Sequence, residues 1–290
     1  MLNIVRMDLR RLVRTRSLYA ILLVLAAMLL ITSFSTWYMT EKSMTDLMLF
    51  AQEQLEEENI SATSEMGQIG LAASLLDASD SRVMQLQVRR AMSFGVLASM
   101  PFTGFLAHTL LAVLTALYAS KDYATGYFKN LLALPGVKTK WFISKVLMLA
   151  LCILIVVMAV LGLAAIGTLI LGNPMEIDWP QITAFMGQHM LLSFGLNMLV
   201  LMILVLSQNK TAALTMGILL SVNTQNLLFL LLDTTDWLPF RLRDWGLMNQ
   251  AMKITMGGAM PERLPVIAAA VIGISFLVSL LAINRRDLKM

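Results

Sequence analysis

The run VLMLALCILIVVMAVLGLAAIGTLIL, Val146 to Leu171, carries no charged side chain. As a helix it would extend about 39 Å at 1.5 Å per residue, enough to cross a hydrocarbon core of about 30 Å. Five further runs are comparable: Leu18 to Tyr38, Phe94 to Tyr118, Ile182 to Leu206, Ala212 to Leu232 and Leu264 to Ile283. The composition agrees, with 58% of the 290 residues hydrophobic, 14% charged and a mean hydropathy of +0.75, which lies outside the range of water-soluble domains. These runs predict an all-α polytopic membrane protein with six transmembrane helices in one membrane domain over 18–290. An interfacial helix over 1–17 precedes it, and loops over 39–92 and 119–145 interrupt it.

Basic residues set the expected orientation. Arg6, Arg10, Arg11, Arg14 and Arg16 lie at the N-terminus, and Lys121, Lys129, Lys138, Lys140 and Lys145 in the second loop. Lys210 lies in the fourth loop, and Arg285, Arg286 and Lys289 at the C-terminus. The same segments hold only the acids Asp8, Asp122 and Asp287. Short loops rich in Lys and Arg stay in the cytoplasm, so both termini are expected inside and the number of spans even. The pI near 9.3 therefore reflects topology and not nucleic-acid binding. Trp37, Trp141, Trp179, Trp237 and Trp245 fall at or just beyond span ends, where an amphipathic ring favours the membrane interface.

The N-terminal LNIVRMDLRRLVRTR sets Leu2, Val5, Leu9, Leu12 and Val13 on one helical stripe and Arg6, Arg10 and Arg14 on another. An amphipathic helix lying in the membrane plane follows, its arginines toward anionic head groups. The first span ends STWYMTEK with no small-residue cleavage site, so it is expected to stay as an anchor. The loop from Met39 to Met92 is acidic but keeps apolar residues at helical spacings, and it is expected to be an external helical element. The second external stretch, Asp233 to Arg263, contains Trp237, Pro239 and Trp245 and is expected to include a short interfacial or re-entrant helix.

Catalytic signatures are missing from the sequence. It has no H-E-x-x-H, no G-x-S-x-G and no phosphate-binding G-x-x-x-x-G-K-[ST]. Its single cysteine, Cys152, cannot form an intrachain disulfide. No ionisable Asp, Glu, Lys or Arg falls in the central part of a span, which argues against ion-coupled carriers and intramembrane proteases. The polar residues that do enter the spans are neutral. His189, Ser193 and Asn197 share one face at i, i+4 and i+8, and SVNTQN gathers Asn223, Gln225 and Asn226. Two readings stand for them: hydrogen bonds between helices, or part of a substrate path. His108 and Pro101 in the second span suggest a hydrogen-bonded histidine and a kink.

Upstream of Val146 lies DYATGYFKNLLALPGVKTK, Asp122 to Lys140. Residues 127–134 can form two helical turns, which Pro135-Gly136 then stops. Phe128, Leu131 and Leu132 would be available to dock in a partner. The order Asp122, Gly126, Lys129, Leu131, Leu132, Pro135, Lys138, Lys145 resembles the loop between the second and third helices of membrane subunits of ABC exporters of the second exporter type. Tyr127 stands where that family often has Thr, and Lys138 where it often has Arg. The six spans, the N-terminal helix and the closing NRRDLKM extend the likeness along the chain. It is nearest to bacterial permeases for bacitracin, lantibiotics or phenol-soluble-modulin-like peptides.

The resemblance implies a non-enzymatic transporter subunit in the bacterial cytoplasmic membrane. In that family the loop is a coupling helix seated on a separate ATPase subunit, which carries ATP and magnesium, and two membrane subunits pair with two ATPases. The coupling residues would be Asp122, Gly126, Phe128, Lys129, Leu131, Leu132 and Pro135. A membrane scaffold or sensor that recruits a cytoplasmic partner without ATP is the competing class.

Overall fold

The computed structural model describes residues 2–58, 93–126, 137–173, 175, 177–234 and 241–285. Among them every regular element is helical. Helix α1 is Leu2–Val13 and α2 is Arg16–Glu58, followed by α3, Phe94–Thr103, and α4, Leu106–Ala124. Then come α5, Val137–Ile170, and α6, Trp179–Ser207. The chain continues through α7, Lys210–Ser221, and α8, Gln225–Asp233. A 3₁₀ turn at Leu242–Trp245 precedes α9, Leu247–Ala251, and α10 is Leu264–Arg285.

Among the described residues four helices are long and apolar enough to cross a membrane: α2 in its part Arg16–Ser35, α5, α6 and α10. Two bent pairs, α3 with α4 and α7 with α8, bring the number to six when each pair is counted as one span. Large side chains such as Leu23, Ile31, Met158, Leu169, Val266 and Ile274 are exposed, as helices bathed in lipid require.

Both bent pairs break where the backbone adopts a left-handed conformation. Between α3 and α4 the axis turns by 53°. Phe105, four residues after Pro101 and just before α4, has φ 60 there, and the Pro101 ring nitrogen offers no hydrogen bond to the turn before it. Between α7 and α8 the turn is 61°, and Asn223 has φ 63. SVNTQN is thus the break itself and not a polar stripe on an intact helix. Asparagine tolerates this conformation better than most residues.

Several helices also run past their expected ends. α2 continues unbroken to Glu58, through the first part of the loop expected over 39–92, and residues 59–92 lie outside the described residues. α4 continues to Ala124 and α5 begins at Val137, so the connection expected over 119–145 shortens to 125–136.

The described residues divide into two compact units, one within 1–25, 99–161 and 178–290 and one within 26–98 and 162–177. The first has a core of Ala112, Ala116, Ala119, Trp141, Phe142, Met198, Leu201 and Leu204. Small residues let its helices approach closely: a Cβ on Gly217 would lie 3.2 Å from Val200 and 3.5 Å from Ala112, seating α7 against both α6 and α4. In the second unit Gly167 faces Ser33, and a Cβ there would collide with the serine hydroxyl. Ser33 and Thr168 satisfy their hydroxyls on carbonyls of their own helices, Leu29 and Ala164, each at 2.8 Å.

Candidate functional site

The buried face of α1 is Asp8 and Leu12, four apart, and Thr15, also buried, follows just past the helix end. α4 presents Tyr118, Lys121 and Asp122 at spacings of three and one, and α5 repeats that pattern with Trp141, Ser144 and Lys145. These three faces meet in a node of charge. Lys145 Nζ donates to Asp8 Oδ1 at 3.0 Å and forms an ion pair with Asp122 Oδ2 at 2.7 Å. It also lies 4.6 Å from the centre of the Tyr118 ring, so one ammonium group is satisfied by two carboxylates and an aromatic face.

The carboxylates are completed by neighbours. Asp8 Oδ2 accepts from Ser144 Oγ at 2.6 Å, and the Asp8 carbonyl accepts from the Tyr118 hydroxyl at 3.2 Å. Asp122 Oδ2 accepts from Trp141 Nε1 at 2.8 Å, and its Oδ1 accepts from Arg11 Nη1 at 3.2 Å. The side chains of Lys145, Asp8 and Asp122 are 2%, 1% and 4% exposed, whereas that of Arg11 is 41% exposed. Two acids therefore face two cations, and such pairs survive burial only when their remaining donors and acceptors are filled as they are here. Trp141 is buried inside the protein, and its indole N–H serves Asp122.

Of the residues expected to couple to an ATPase, Asp122 is central to the node. Gly126 sits just past the end of α4 with φ 67, a left-handed position that suits glycine, and its N–H donates to the Tyr123 carbonyl at 3.3 Å. Phe128, Lys129, Leu131, Leu132 and Pro135 lie outside the described residues. Sequence reasoning missed Asp8, which entered only as an acid among arginines. Its spacing to Leu12 and Thr15 was the available signal.

The second group of expected residues does come together. His189, Ser193 and Asn197 form the buried face of α6, and they meet α4. His108 Nδ1 lies 2.9 Å from Ser193 Oγ and His108 Nε2 lies 3.1 Å from His189 Nδ1. Thr115 Oγ1 donates to Asn197 Oδ1 at 2.8 Å, while Asn197 Nδ2 donates to the Ser193 carbonyl at 2.7 Å. Phe102 and Phe185 close the histidine end, their rings centred 5.2 Å and 4.4 Å from that of His189.

At the α7–α8 break, Asn223 Nδ2 donates to Asn249 Oδ1 at 2.6 Å, and Asn249 Nδ2 donates to Asn226 Oδ1 at 3.0 Å. Gln225 does not join this network, and its buried Oε1 has no hydrogen-bond partner among the described residues. Asn249 was not singled out in the sequence, since it lies on the five-residue α9 within a stretch that had no helical periodicity long enough to place it.

Four candidate spans among the described residues, or six with each bent pair counted as one, apolar outer faces and neutral polar bonds between helices define a multi-pass α-helical membrane protein. No family model matches the chain, and no curated protein matches it.

Proposed function

We propose that this chain is the membrane-spanning subunit of an ATP-driven exporter, coupled to a separate ATPase subunit and moving an amphipathic or hydrophobic substrate such as a peptide. The observation that carries this reading is the direct bond between the helices flanking 127–136: Asp122, at the end of α4, holds both Lys145 and Trp141 of α5. A push on the connection would reach both helices and, through Asp8 and Arg11, α1 as well. Buried ion pairs with filled hydrogen bonds resist separation, so the ends would move as one body.

On this reading residues 127–134 form the element seated on the ATPase, with both termini of the chain on the same cytoplasmic side of a bacterial plasma membrane. ATP and magnesium would be bound and hydrolysed by the partner, and this chain would do no catalysis. Two copies, or this chain and a homologous one, would enclose the path around a two-fold axis. Asn223, Gln225 and Asn226 and the face of His189, Ser193 and Asn197 are the residues proposed to border it.

The test is ATP hydrolysis and transport measured side by side on the reconstituted complex. Phe128→Ala and Leu131→Asp are expected to weaken ATPase association or to uncouple hydrolysis from transport, because a docked apolar contact is lost. Gly126→Pro should be damaging through the geometry of the helix end. Wild-type coupling in the Phe128 and Leu131 variants would reduce the segment to a tether and favour an ATP-independent scaffold.

A further inference from the structure

Beside the charged node, α1 and α4 border a cavity of 640 Å³ that the node does not use. Its walls carry Arg10, Arg11 and Arg14 from α1 and Lys121 from α4, against one carboxylate, Asp122. Both oxygens of that carboxylate are already engaged, accepting from Trp141 and Arg11 and pairing with Lys145. Met7, Thr15, Tyr118 and Thr125 complete the lining; Thr15 is buried, its Oγ1 donating to the Arg11 carbonyl at 2.7 Å and accepting from Lys121 Nζ at 3.2 Å. Among the described residues Arg10, Arg14 and Lys121 have no acidic partner. The cavity is therefore a concave, strongly cationic site of the size that takes a small ligand, its anion-binding donors being the guanidinium and ammonium groups of its walls.

We propose that this cavity binds the phosphate of an anionic phospholipid head group. Depth favours lipid over a soluble anion: Thr15 lies three residues before Leu18, where the apolar run of α2 begins, so the cavity sits where hydrocarbon gives way to head groups. Leu9 and Val13 adjoin Arg10 and Arg14 in sequence and are 40% and 50% exposed, while Tyr19 and Leu23 on α2 are 55% and 68% exposed. α1 and α2 thus both expose apolar side chains close in sequence to the cationic ones, surface on which an acyl chain could lie. The proposal differs from general attraction of a basic helix to a membrane, because Lys121 comes from a different helix and Arg6, on α1, lies outside the cavity. It does not depend on the exporter reading.

The experiment titrates the full chain in neutral detergent with short-chain phosphatidylglycerol or phosphatidylcholine and counts bound lipid by native mass spectrometry. One phosphatidylglycerol is expected to bind in preference to phosphatidylcholine. Arg14→Gln and Lys121→Ala, both at exposed positions, should each weaken it at least about fivefold, the effect of one basic residue near an anionic surface. Arg6→Gln removes the same charge from the same helix and should change affinity by less than about twofold at this site, since it is not in the wall. Equal losses for Arg6→Gln and Arg14→Gln would overturn the site in favour of diffuse attraction. Equal binding of the two lipids would overturn it as well. Inorganic phosphate serves as the third probe: saturable binding that Arg14→Gln abolishes, without preference for phosphatidylglycerol, would overturn the lipid assignment and give the cavity to a soluble anion.

Discussion

Helix α4 takes part in two polar clusters that obey different rules. At its last turns Tyr118 and Asp122 belong to a node of four formal charges, whereas His108, about 21 Å earlier along the axis, and Thr115 meet α6 through neutral groups only. The difference follows depth. Near a helix end an ion pair can keep one member, Arg11, in contact with water, and the others borrow its stability. Deep in a span no such relief exists, and neutral amides, hydroxyls and imidazoles bond between helices at small cost. Charge therefore tethers the ends of the helices, and neutral hydrogen bonds align their middles.

This contrast breaks most sharply at Lys145. Lys145→Met leaves Asp8 and Asp122 buried and facing each other without a cation between them, and the expected loss is about 3–5 kcal/mol. Thermal unfolding in detergent would show it as a large fall in midpoint or as failure to recover folded protein. A loss no larger than that of a neutral pair would end the distinction between the two clusters.

A smaller effect is expected in the neutral cluster. Thr115→Val leaves Asn197 Oδ1 without its donor and should cost about 1 kcal/mol, while Asn197→Leu combined with Thr115→Val should recover part of that loss, because both partners are then apolar. A double-mutant cycle on unfolding in mixed micelles measures the coupling. Additive losses would show that the bond contributes little.

The smallest effect belongs to the exposed member of the node. Arg11→Gln should cost less than about 1 kcal/mol, since its guanidinium is already partly solvated and Asp122 keeps Lys145 and Trp141. High salt should erase even that difference in the unfolding midpoint, whereas the effect of Lys145→Met should persist.

The apolar runs were legible without any structure because the bilayer acts on each helix separately: about 20 uncharged residues suffice wherever they fall. Hence the α2, α5, α6 and α10 spans lie where hydropathy places them. The i, i+4, i+8 face of His189, Ser193 and Asn197 was legible for the same local reason, although its partners on α4 were not. Breaks were harder to see. Pro101 marked the first, but hydropathy does not register backbone conformation: Phe105 continues an apolar run and Asn223 reads only as a polar residue, although both are left-handed.

By itself, then, the sequence determined the membrane class, the candidate spans and the amphipathic pattern of α1. It could not determine that Asp8 turns inward while Leu9 and Val13 stay exposed, that Trp141 is buried against Asp122, or that Lys145 stands between two acids. Asp8 lies 114 positions from Asp122 and 137 from Lys145 in the chain. Whether a charge is solvated or paired depends on what packs against it, and only the tertiary structure brings α1, α4 and α5 close enough for the pairing to outweigh the cost of leaving water.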